Sequence, residues 1–307
     1  MTAQKTQGII WAVTAAIISG VAVFANSLVV RGIDPIVHTT IKNAFVGLAV
    51  VGLIMLTKER QVLKQITRNQ WLKLIGIAVI GGSAAFGFFF TGLKQIGASE
   101  GQILNKTLVI WVMLLAIPLL KEKVTKPMVL GVILVYASSF LGGGWKSTQM
   151  QTGHLLIMAA TLMWAIETIL VKKTLVEVPV NIAVGARMGL GSLILIGWLL
   201  VTGKAPLVSA LSATQWGLLL MVGLILFGYV MSWYRALKYA PAVLVASIMA
   251  GAVIITTALN SLFISHGFSL TNLAQAGILA LGCVLVGWGS QVTRAWPKIS
   301  FKKSVLS

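Results

Sequence analysis

Charged residues and cysteine are scarce in this chain of 307 residues. Asp and Glu number 6 against 24 Lys and Arg, only 10% of the residues are charged, and Cys283 is the single cysteine. An ordinary soluble domain carries about 25% charged residues, so this composition excludes that class. One cysteine cannot form a disulfide within the chain, which excludes a disulfide-stabilised scaffold. The net charge of +18 would suggest nucleic-acid binding in a soluble protein, but here it has to be interpreted by its position along the chain.

Apolar residues, in contrast, make up 58% of the chain and recur in long stretches. This content excludes intrinsic disorder, which depends on a low apolar content. About 20 consecutive apolar residues are enough to cross a membrane as a helix. We therefore predict an all-α membrane protein with ten transmembrane helices. The predicted spans are Gly8–Val30, Pro35–Thr57, Gln70–Leu93, Ser99–Leu120, Pro127–Gly144, Gly153–Val171, Pro179–Val201, Thr214–Leu237, Pro241–Ser265 and Thr271–Val292.

The basic residues are concentrated in alternate loops. If the N-terminus is cytoplasmic, most of the 24 Lys and Arg lie in cytoplasmic loops or in the C-terminal tail. Only Arg31, Lys94, Lys146 and Lys204 then lie in external loops. Because cytoplasmic loops of membrane proteins carry an excess of Lys and Arg, this bias predicts that both termini are cytoplasmic. We expect a multi-pass protein of the cell membrane.

The two halves of the chain repeat each other at an offset of about 144 residues. Ile33-Asp34-Pro35 aligns with Glu177-Val178-Pro179, and Gln70-Trp71 aligns with Gln215-Trp216. We predict one repeat in residues 1–150 and a second in residues 151–307, which also contains the basic tail. Each repeat has five spans, an odd number, so the second repeat is inverted relative to the first. Inverted repeats are typical of secondary transporters, whose substrate site lies at the repeat interface near the middle of the membrane.

Three short segments, together with the repeat, carry a resemblance to a known family. They are Pro118-Leu119-Leu120 followed by Glu122, Trp164-Ala165-Ile166-Glu167, and Arg187-Met188-Gly189. Over residues 8–292 the chain resembles the drug/metabolite transporter superfamily, specifically its ten-span EamA type. Asn43 stands where the first repeat would match Arg187, and His266 stands where the second would match Glu122. The resemblance implies a central cavity lined by spans 1–4 and 6–9, alternating access, and export or exchange of small metabolites.

Two lysines and three asparagines lie in the outer halves of predicted spans 1, 2 and 4. A charged side chain inside the bilayer costs about 2.5–3.5 kcal/mol on insertion scales and usually faces the protein interior. One interpretation is a basic, amide-rich vestibule that binds a carboxylate or phosphate of the substrate. The alternative is that each lysine reaches back to the lipid headgroups. The five residues are Asn26, Lys42, Asn43, Asn105 and Lys106.

Glu167 is the only acidic residue predicted to lie deep within a span, and Arg187 follows on the next helix. Because their depths are similar, we predict an ion pair between them. Two roles stay open: a gate on the cytoplasmic side that opens when Glu167 is protonated or when substrate competes for Arg187, and a permanent structural pair. Trp164 shares a helix face with Glu167, since the two are three residues apart, and we predict that it lines the cavity.

The other aromatic and histidine residues have a simpler interpretation. Trp233-Tyr234 lies beside Arg235 near a span end, which is typical of membrane-interface anchors. His38, His154 and His266 fall at external span ends without a carboxylate or thiol partner in the sequence pattern, so we expect interface positions rather than a metal site.

The absence of catalytic motifs narrows the function. No Gly-x-x-x-x-Gly-Lys-Ser/Thr sequence is present, which excludes transport driven by ATP hydrolysis in this chain. Asp34 is the only aspartate and no span carries a Ser–His or paired-Asp arrangement, which disfavours a membrane-embedded enzyme. Because the charges predicted inside spans are mainly basic, we predict a secondary active transporter, an exporter or exchanger, of a small polar metabolite that is anionic or zwitterionic. A membrane channel is the alternative.

The predicted partners are the lipid bilayer and the small-molecule metabolite, without cofactor, metal or nucleic acid. The coupling partner, a proton or a counter-substrate, is left open. Assembly into a homo-oligomer is also left open, because Gly185-x-x-x-Gly189 is only a weak dimerisation signal. The same spacing of small residues would let a neighbouring helix approach Arg187.

Overall fold

The computed structural model of the protein describes residues 3–29, 32–141, 145, 147–264, 266–267 and 269–292. Every regular element among these residues is helical, which confirms the predicted all-α class. The predicted span ends Val30, Gly144 and Ser265, the loop residues Arg31 and Lys146, and the basic tail after Val292 lie outside the described residues. The helices are α1 (Ala3–Val29), α2 (Pro35–Leu56), α3 (Glu59–Leu63), α4 (Arg68–Val79), α5 (Ala85–Asn105), α6 (Thr107–Leu120), α7 (Lys126–Ala137), α8 (Thr152–Thr174), α9 (Val180–Gly185), α10 (Gly191–Val201), α11 (Pro206–Ser209), α12 (Ala213–Tyr239), α13 (Ala242–Ala250), α14 (Ala252–Phe263) and α15 (Leu270–Val292).

Nine helical segments of the described chain are long and apolar enough to cross a membrane. They correspond to nine of the ten predicted spans. The remaining one, predicted over Pro127–Gly144, is a shorter apolar helix that covers Lys126–Phe140 when the turn after α7 is included. The ten predicted apolar segments are therefore all present as helices within the described residues.

Equivalent helices of the two repeats begin in the same way. Thr67 precedes α4 and accepts a hydrogen bond from the amide of Gln70, whose side chain accepts from the amide of Thr67 in return. Ser212 and Gln215 form the same reciprocal pair before α12. This capping box satisfies amides that have no partner within the helix. The matched caps show that the repeat extends to local structure.

Several spans are interrupted inside the membrane. Residues 80–84 between α4 and α5 form a π-helical turn, named here the first π-bulge, and residues 186–190 between α9 and α10 form the second π-bulge. A single turn residue, Lys106, separates α5 from α6, and Gly251 separates α13 from α14 in the equivalent span of the second repeat. Interrupted helices and π-bulges are common at functional sites of membrane proteins.

The packing between the repeats follows an approximate two-fold relation. Helix α1 packs along α12, and its equivalent α8 packs along α5, which is the equivalent of α12. At one interface a Cβ on Gly8 would lie 2.6 Å from Cβ of Ala240, and at the other a Cβ on Gly153 would lie 2.7 Å from Ile96. Glycine is therefore required at both equivalent crossings. Helices α7 and α15, the last spans of the two repeats, also pack against each other.

Polar contacts near the helix ends join residues that the predicted topology places on the same side. Lys73 pairs with Glu177 at 2.9 Å on the face where α1 begins, named here the N-terminal face. Lys204 pairs with Asp34 at 2.8 Å on the opposite face. These contacts agree with alternating helix directions. Which face is cytoplasmic stays a prediction.

Two buried charges hold the junction between α12 and α13 at the N-terminal face. The ammonium of Lys172 donates to the carbonyl oxygens of Leu237 and Ala240. The carboxylate of Glu122 accepts from the amides of Ala242 at 2.6 Å and Val243 at 3.2 Å. Burial raises the pKa of Glu122, although these amides and nearby Lys172 oppose the shift. One cation thus meets the C-terminal end of α12, and one anion meets the N-terminal end of α13.

Candidate functional site

The ion pair between Glu167 and Arg187 lies at the centre of the candidate site. Glu167 is on α8, and Arg187 is in the second π-bulge. Nε of Arg187 donates to Oε1 of Glu167, and Nη2 donates to Oε2 at 3.2 Å. The side chain of Arg187 is 6% exposed and that of Glu167 is 0% exposed. Each residue lies about seven positions from a helix end at the N-terminal face, which is roughly 10 Å along the helix. The predicted ion pair is present and buried.

Two further polar groups complete the surroundings of the pair. The hydroxyl of Tyr234, on α12, donates to Oε1 of Glu167 at 3.3 Å. The carbonyl oxygen of Gly81, in the first π-bulge, accepts from Nη2 of Arg187 at 3.4 Å. A buried bidentate pair with additional hydrogen bonds offsets much of the cost of removing both charges from water. Both repeats therefore contribute to the same polar cluster.

Aromatic rings surround the guanidinium. Its carbon lies 5.3 Å from the ring centre of Trp233 and 5.8 Å from that of Phe86. Trp164 contacts Phe86 edge-on at 5.4 Å and Phe89 at 5.2 Å between ring centres. The faces of these rings attract a cation, which further stabilises the charge on Arg187. Trp164 thus belongs to the wall around the pair, although it does not contact either charge directly.

Two consecutive glycines let the first π-bulge approach this cluster. A Cβ on Gly81 would lie 1.8 Å from the carboxylate carbon of Glu167. A Cβ on Gly82 would lie 2.3 Å from the carbonyl oxygen of Arg187 and 3.2 Å from Cα of Gly191. No larger residue fits at either position without displacing the pair or the second π-bulge.

Asn43 reaches the same cluster from α2. Its Nδ2 lies 3.5 Å from the carbonyl oxygen of Gly82, while its Oδ1 is buried without a hydrogen-bond partner among the described residues. Nε1 of Trp164 is also buried without a described partner. Unpaired buried polar atoms are costly, so such atoms often mark a place where water or a ligand binds. The structure therefore groups Asn43, Trp164, Glu167 and Arg187.

The other four predicted site residues make no hydrogen bond to this cluster within the described chain, and they lie as two pairs, Asn26 with Lys42 and the sequence neighbours Asn105 and Lys106. Lys42 donates to Oδ1 of Asn26 at 3.0 Å. Lys106 is 8% exposed, lies at the interruption between α5 and α6, and makes no hydrogen bond through Nζ within the described chain. Oδ1 of its neighbour Asn105 is buried and unpaired there as well. Lys106 is therefore buried in the protein, and its place in a vestibule stays a prediction.

Comparison with known proteins identifies the family. The model of the EamA-like transporter family matches residues 6–142 and again residues 151–288. The chain belongs to the EamA-like transporter family. An uncharacterised transporter of Archaeoglobus fulgidus is 29% identical over 184 residues, which cover 58% of this chain and 63% of that protein, less than two thirds of its length. A crystal structure matches 94% of this chain and 97% of its own with a TM-score of 0.73, and its 15% identity shows the shared fold alone.

The double match confirms that this EamA-like transporter contains two copies of one unit, as the internal repeat predicts. It also agrees with a multi-pass membrane protein, because the family is one of transporters and nine described helical segments are long and apolar enough to cross a membrane. The division into separate units at residue 150 and the binding roles of individual residues stay predictions.

Two sequence interpretations of this EamA-like transporter are wrong. Trp233 and Tyr234 are not interface anchors, since they are 8% and 0% exposed and both contact the central ion pair. His38 and His154 are not at the interface either, since they are 1% and 0% exposed. His154 has a carboxylate partner that the pattern did not reveal, because its Nε2 lies 2.7 Å from Oε2 of Glu100. In each case tertiary packing buries a residue that lies close to a helix end.

The sequence also did not reveal the two π-bulges. The signal available for the first is the run Gly81-Gly82-Ser83 inside an apolar span, which suggests close backbone approach. The second surrounds the intramembrane Arg187, and only the three-dimensional packing shows its shape. In the part of the chain that the structure describes, no group of three or more His, Cys, Asp or Glu side chains could hold a metal ion.

Proposed function

We propose that this EamA-like transporter is a secondary active transporter of a small polar metabolite with anionic or zwitterionic character, and that it works by alternating access. The observation that carries the proposal is the buried Glu167–Arg187 pair, which is held by Tyr234 of the second repeat and by the first π-bulge of the first repeat. A site shared by both repeats changes its surroundings when the repeats move relative to each other.

The chemistry of the pair supports this substrate class. Removing one partner of a buried ion pair leaves the other charge uncompensated, which costs about 3–5 kcal/mol. Separating the pair without new partners leaves both charges uncompensated. A substrate carboxylate can replace Glu167 as the partner of Arg187, and a substrate ammonium can replace Arg187 as the partner of Glu167. A zwitterion supplies both groups, so it can open the pair without leaving either charge alone. An anion can do so if Glu167 takes up a proton.

The lysines extend the same argument to the approach of the substrate. Lys42 and Lys106 lie on the half of the bundle that leads to the opposite face, where Asn26 and Asn105 supply amide groups. Positive groups in a low-dielectric cleft attract anions and repel cations. We propose that this group forms the entrance, with the opposite face external, both termini cytoplasmic and the protein in the cell membrane. Transport is then export or exchange.

The proposal is tested by counterflow in proteoliposomes. Purified protein is first screened by thermal shift against amino acids, organic acids, sugar phosphates and cationic amines, since a ligand of the folded state stabilises it. We expect stabilisation by members of the anionic or zwitterionic classes and saturable counterflow of the best ligand. Flux without saturation and without counterflow would instead show a channel, and stabilisation by cationic amines alone would contradict the substrate class.

The lysines give a sharper test at the level of substitutions. Lys42→Met and Lys106→Met should each weaken transport of the identified substrate by at least about tenfold, since a hydrogen bond to a charged group contributes roughly 1.5–3 kcal/mol. Expression should stay near that of the unchanged protein. Lys94→Met is the matched control, because Lys94 is exposed near the same face. If both variants transport as well as the control, the two lysines do not bind the substrate.

A further inference from the structure

A long groove runs between α2 and the helix formed by α9, the second π-bulge and α10. Its volume is about 410 Å³, and almost all of its lining is apolar. Val51 and Ile54 form one wall, Gly185 and Gly189 form the other, and Trp71 lies at one end. A Cβ on Gly189 would meet only Val51, at 4.0 Å, so this position opens onto free space. In a membrane-spanning protein, such a groove faces lipid chains rather than water.

The groove continues into a second pocket at the N-terminal face. This pocket has a volume of about 450 Å³ and is lined by Met55, Arg60, Gln61, Leu63 and Lys64. Met55 and Leu63 line the groove as well, so the two cavities are adjacent. The combined surface is apolar along the helices and basic where the helices end.

The two cations of this pocket are available to a ligand. Arg60 and Lys64 are exposed, and neither pairs with a carboxylate among the described residues. The nearest acidic residue in sequence, Glu59, accepts a hydrogen bond from Asn181 at 3.2 Å instead. The pocket therefore presents two positive charges at the depth where lipid headgroups lie.

We propose that the groove and the basic pocket together bind one anionic phospholipid, with an acyl chain along α2 and the phosphate at Arg60 and Lys64. The two parts of the cavity match the two parts of this ligand in polarity, order and position relative to the membrane. Arginine and lysine both bind phosphate oxygens by charge-assisted hydrogen bonds, and basic pockets beside membrane helices attract anionic headgroups. A lipid with a zwitterionic headgroup, such as phosphatidylcholine, carries a cation beside its phosphate, and Arg60 and Lys64 repel that cation.

The acyl chain of this lipid contacts the helix that carries the candidate site. Ala186 and Gly189 line the groove on either side of Arg187, which points to the opposite side of the helix, toward Glu167. The lipid therefore packs against the second π-bulge from outside, whereas the ion pair holds it from inside. The lipid site does not depend on the identity of the transported substrate.

The test uses purified, delipidated full-length protein titrated with phosphatidylglycerol, phosphatidylcholine or glycerol 3-phosphate. Melting temperature and retained lipid in native mass spectrometry are measured. We expect phosphatidylglycerol to raise the melting temperature and to stay bound, phosphatidylcholine to bind more weakly, and glycerol 3-phosphate to have no effect because it lacks the acyl chains. Equal binding of the two lipids, or an equal effect of the soluble headgroup, would overturn the proposal.

Substitutions separate the two parts of the site. The double variant Arg60→Gln with Lys64→Gln should weaken phosphatidylglycerol binding about 25-fold, the product of roughly fivefold for each cation near an anionic lipid surface. Lys123→Gln with Lys126→Gln is the charge-matched control at the same face. Neither lysine lines the groove or the pocket, so this variant should change the binding less than about threefold, below the roughly fivefold of one contacting cation. Unchanged binding in the Arg60 and Lys64 variant would show that the basic pocket does not take part.

The apolar part is tested by filling the groove. Gly189→Leu places a side chain in the open space beside Val51, and Gly197→Leu on α10 is its control, since a Cβ there meets nothing within 4 Å and Gly197 does not line the groove. Val51→Phe fills the same space from α2 without changing the second π-bulge. Both filling variants should lose bound phosphatidylglycerol while the control retains it. Retention by both filling variants would overturn the placement of the acyl chain.

Discussion

At the scale of single residues, the Glu167–Arg187 pair makes a strong prediction about stability. Glu167→Gln leaves the guanidinium of Arg187 buried without its carboxylate partner, so we expect a loss of about 3–5 kcal/mol in the free energy of unfolding. Glu177→Gln is the matched control, because Glu177 forms a partly exposed pair with Lys73 whose loss should cost less than about 1 kcal/mol. Thermal unfolding in detergent measures both. Equal losses would show that the central pair contributes no more than a surface pair.

A charge swap at the same pair separates the gating role from the structural role. A purely structural pair should tolerate Glu167→Arg combined with Arg187→Glu far better than either single change. The gating role needs each charge at its own position, because a substrate carboxylate or ammonium has to replace one particular partner of the pair. We therefore expect the swapped protein to fold and not to transport. Recovery of counterflow in the swapped protein would leave only the structural role.

Asp34 makes a prediction about pH. Partial burial would raise the pKa of Asp34, but hydrogen bonds from Lys204 and from the amides of Ile36 and Val37 outweigh it and hold the pKa below the usual 3.8. A carboxylate with a lowered pKa stabilises the folded state above its usual pKa, and this contribution is lost as the pH falls through the lowered value. Asp34→Asn keeps a good helix cap and removes the charge. At about pH 7 it should cost at most roughly 1 kcal/mol, as for a partly exposed pair.

The pH dependence supplies the control for Asp34. As the pH falls from 3.8 through the lowered pKa of Asp34, the folded protein takes up the proton, and the melting temperatures of the unchanged protein and of Asp34→Asn should converge. A difference that stays constant between neutral and acidic pH would mean that the pair with Lys204 does not contribute.

At the same scale, the sequence predicts which charges are unusual but not what surrounds them. Glu167 and Arg187 stand out because charged residues are rare inside membranes, and the structure confirms that they meet. Tyr234 and Trp233 do not stand out, because an aromatic residue near a helix end is common on any membrane protein. Only the packing of α12 against the centre of the bundle distinguishes them from interface anchors.

At the scale of elements, the contact between the two π-bulges predicts a sharp difference between two glycines of one span. Gly82→Ala would place a Cβ 2.3 Å from the carbonyl oxygen of Arg187, so the second π-bulge has to move. Overpacking of this kind costs about 1–3 kcal/mol or more. Gly87→Ala on α5 meets nothing within 4 Å and should be neutral or stabilising by up to about 1 kcal/mol. Thermal unfolding compares the two variants, and similar melting temperatures would contradict the close contact of the bulges.

Helix starts could be predicted from local sequence, whereas helix interruptions could not. Thr67 with Gln70 and Ser212 with Gln215 cap their helices through groups only three residues apart, so the signal is contained in the sequence. The π-bulges and the turn at Lys106 depend on contacts between distant helices. The apolar pattern is continuous across them, and it therefore predicts unbroken spans.

At the scale of the whole molecule, the repeat accounts for the architecture. Five spans per repeat force an inversion, and the packing of α1 on α12 and of α8 on α5 is the arrangement that an inverted pair produces. The interface glycines Gly8 and Gly153 are equivalent in sequence and in contact. The candidate site breaks this symmetry, because the second repeat supplies Glu167 and Arg187 while the first supplies Asn43 and the glycines of the first π-bulge. The family match covers both repeats without indicating this division of roles.

The orientation of the whole molecule is the last prediction, and cysteine labelling tests it. Cys283 is the only cysteine and is half-buried, so Cys283→Ser removes the background. Gln149→Cys places a thiol in the exposed loop before α8, at the opposite face, and Lys123→Cys places one in the exposed loop before α7, at the N-terminal face. Because basic loops stay in the cytoplasm, a membrane-impermeant maleimide should label Gln149→Cys in intact cells and Lys123→Cys only after permeabilisation. The reverse pattern would place the N-terminal face outside, and labelling of both thiols in intact cells would contradict the alternation of helix directions itself.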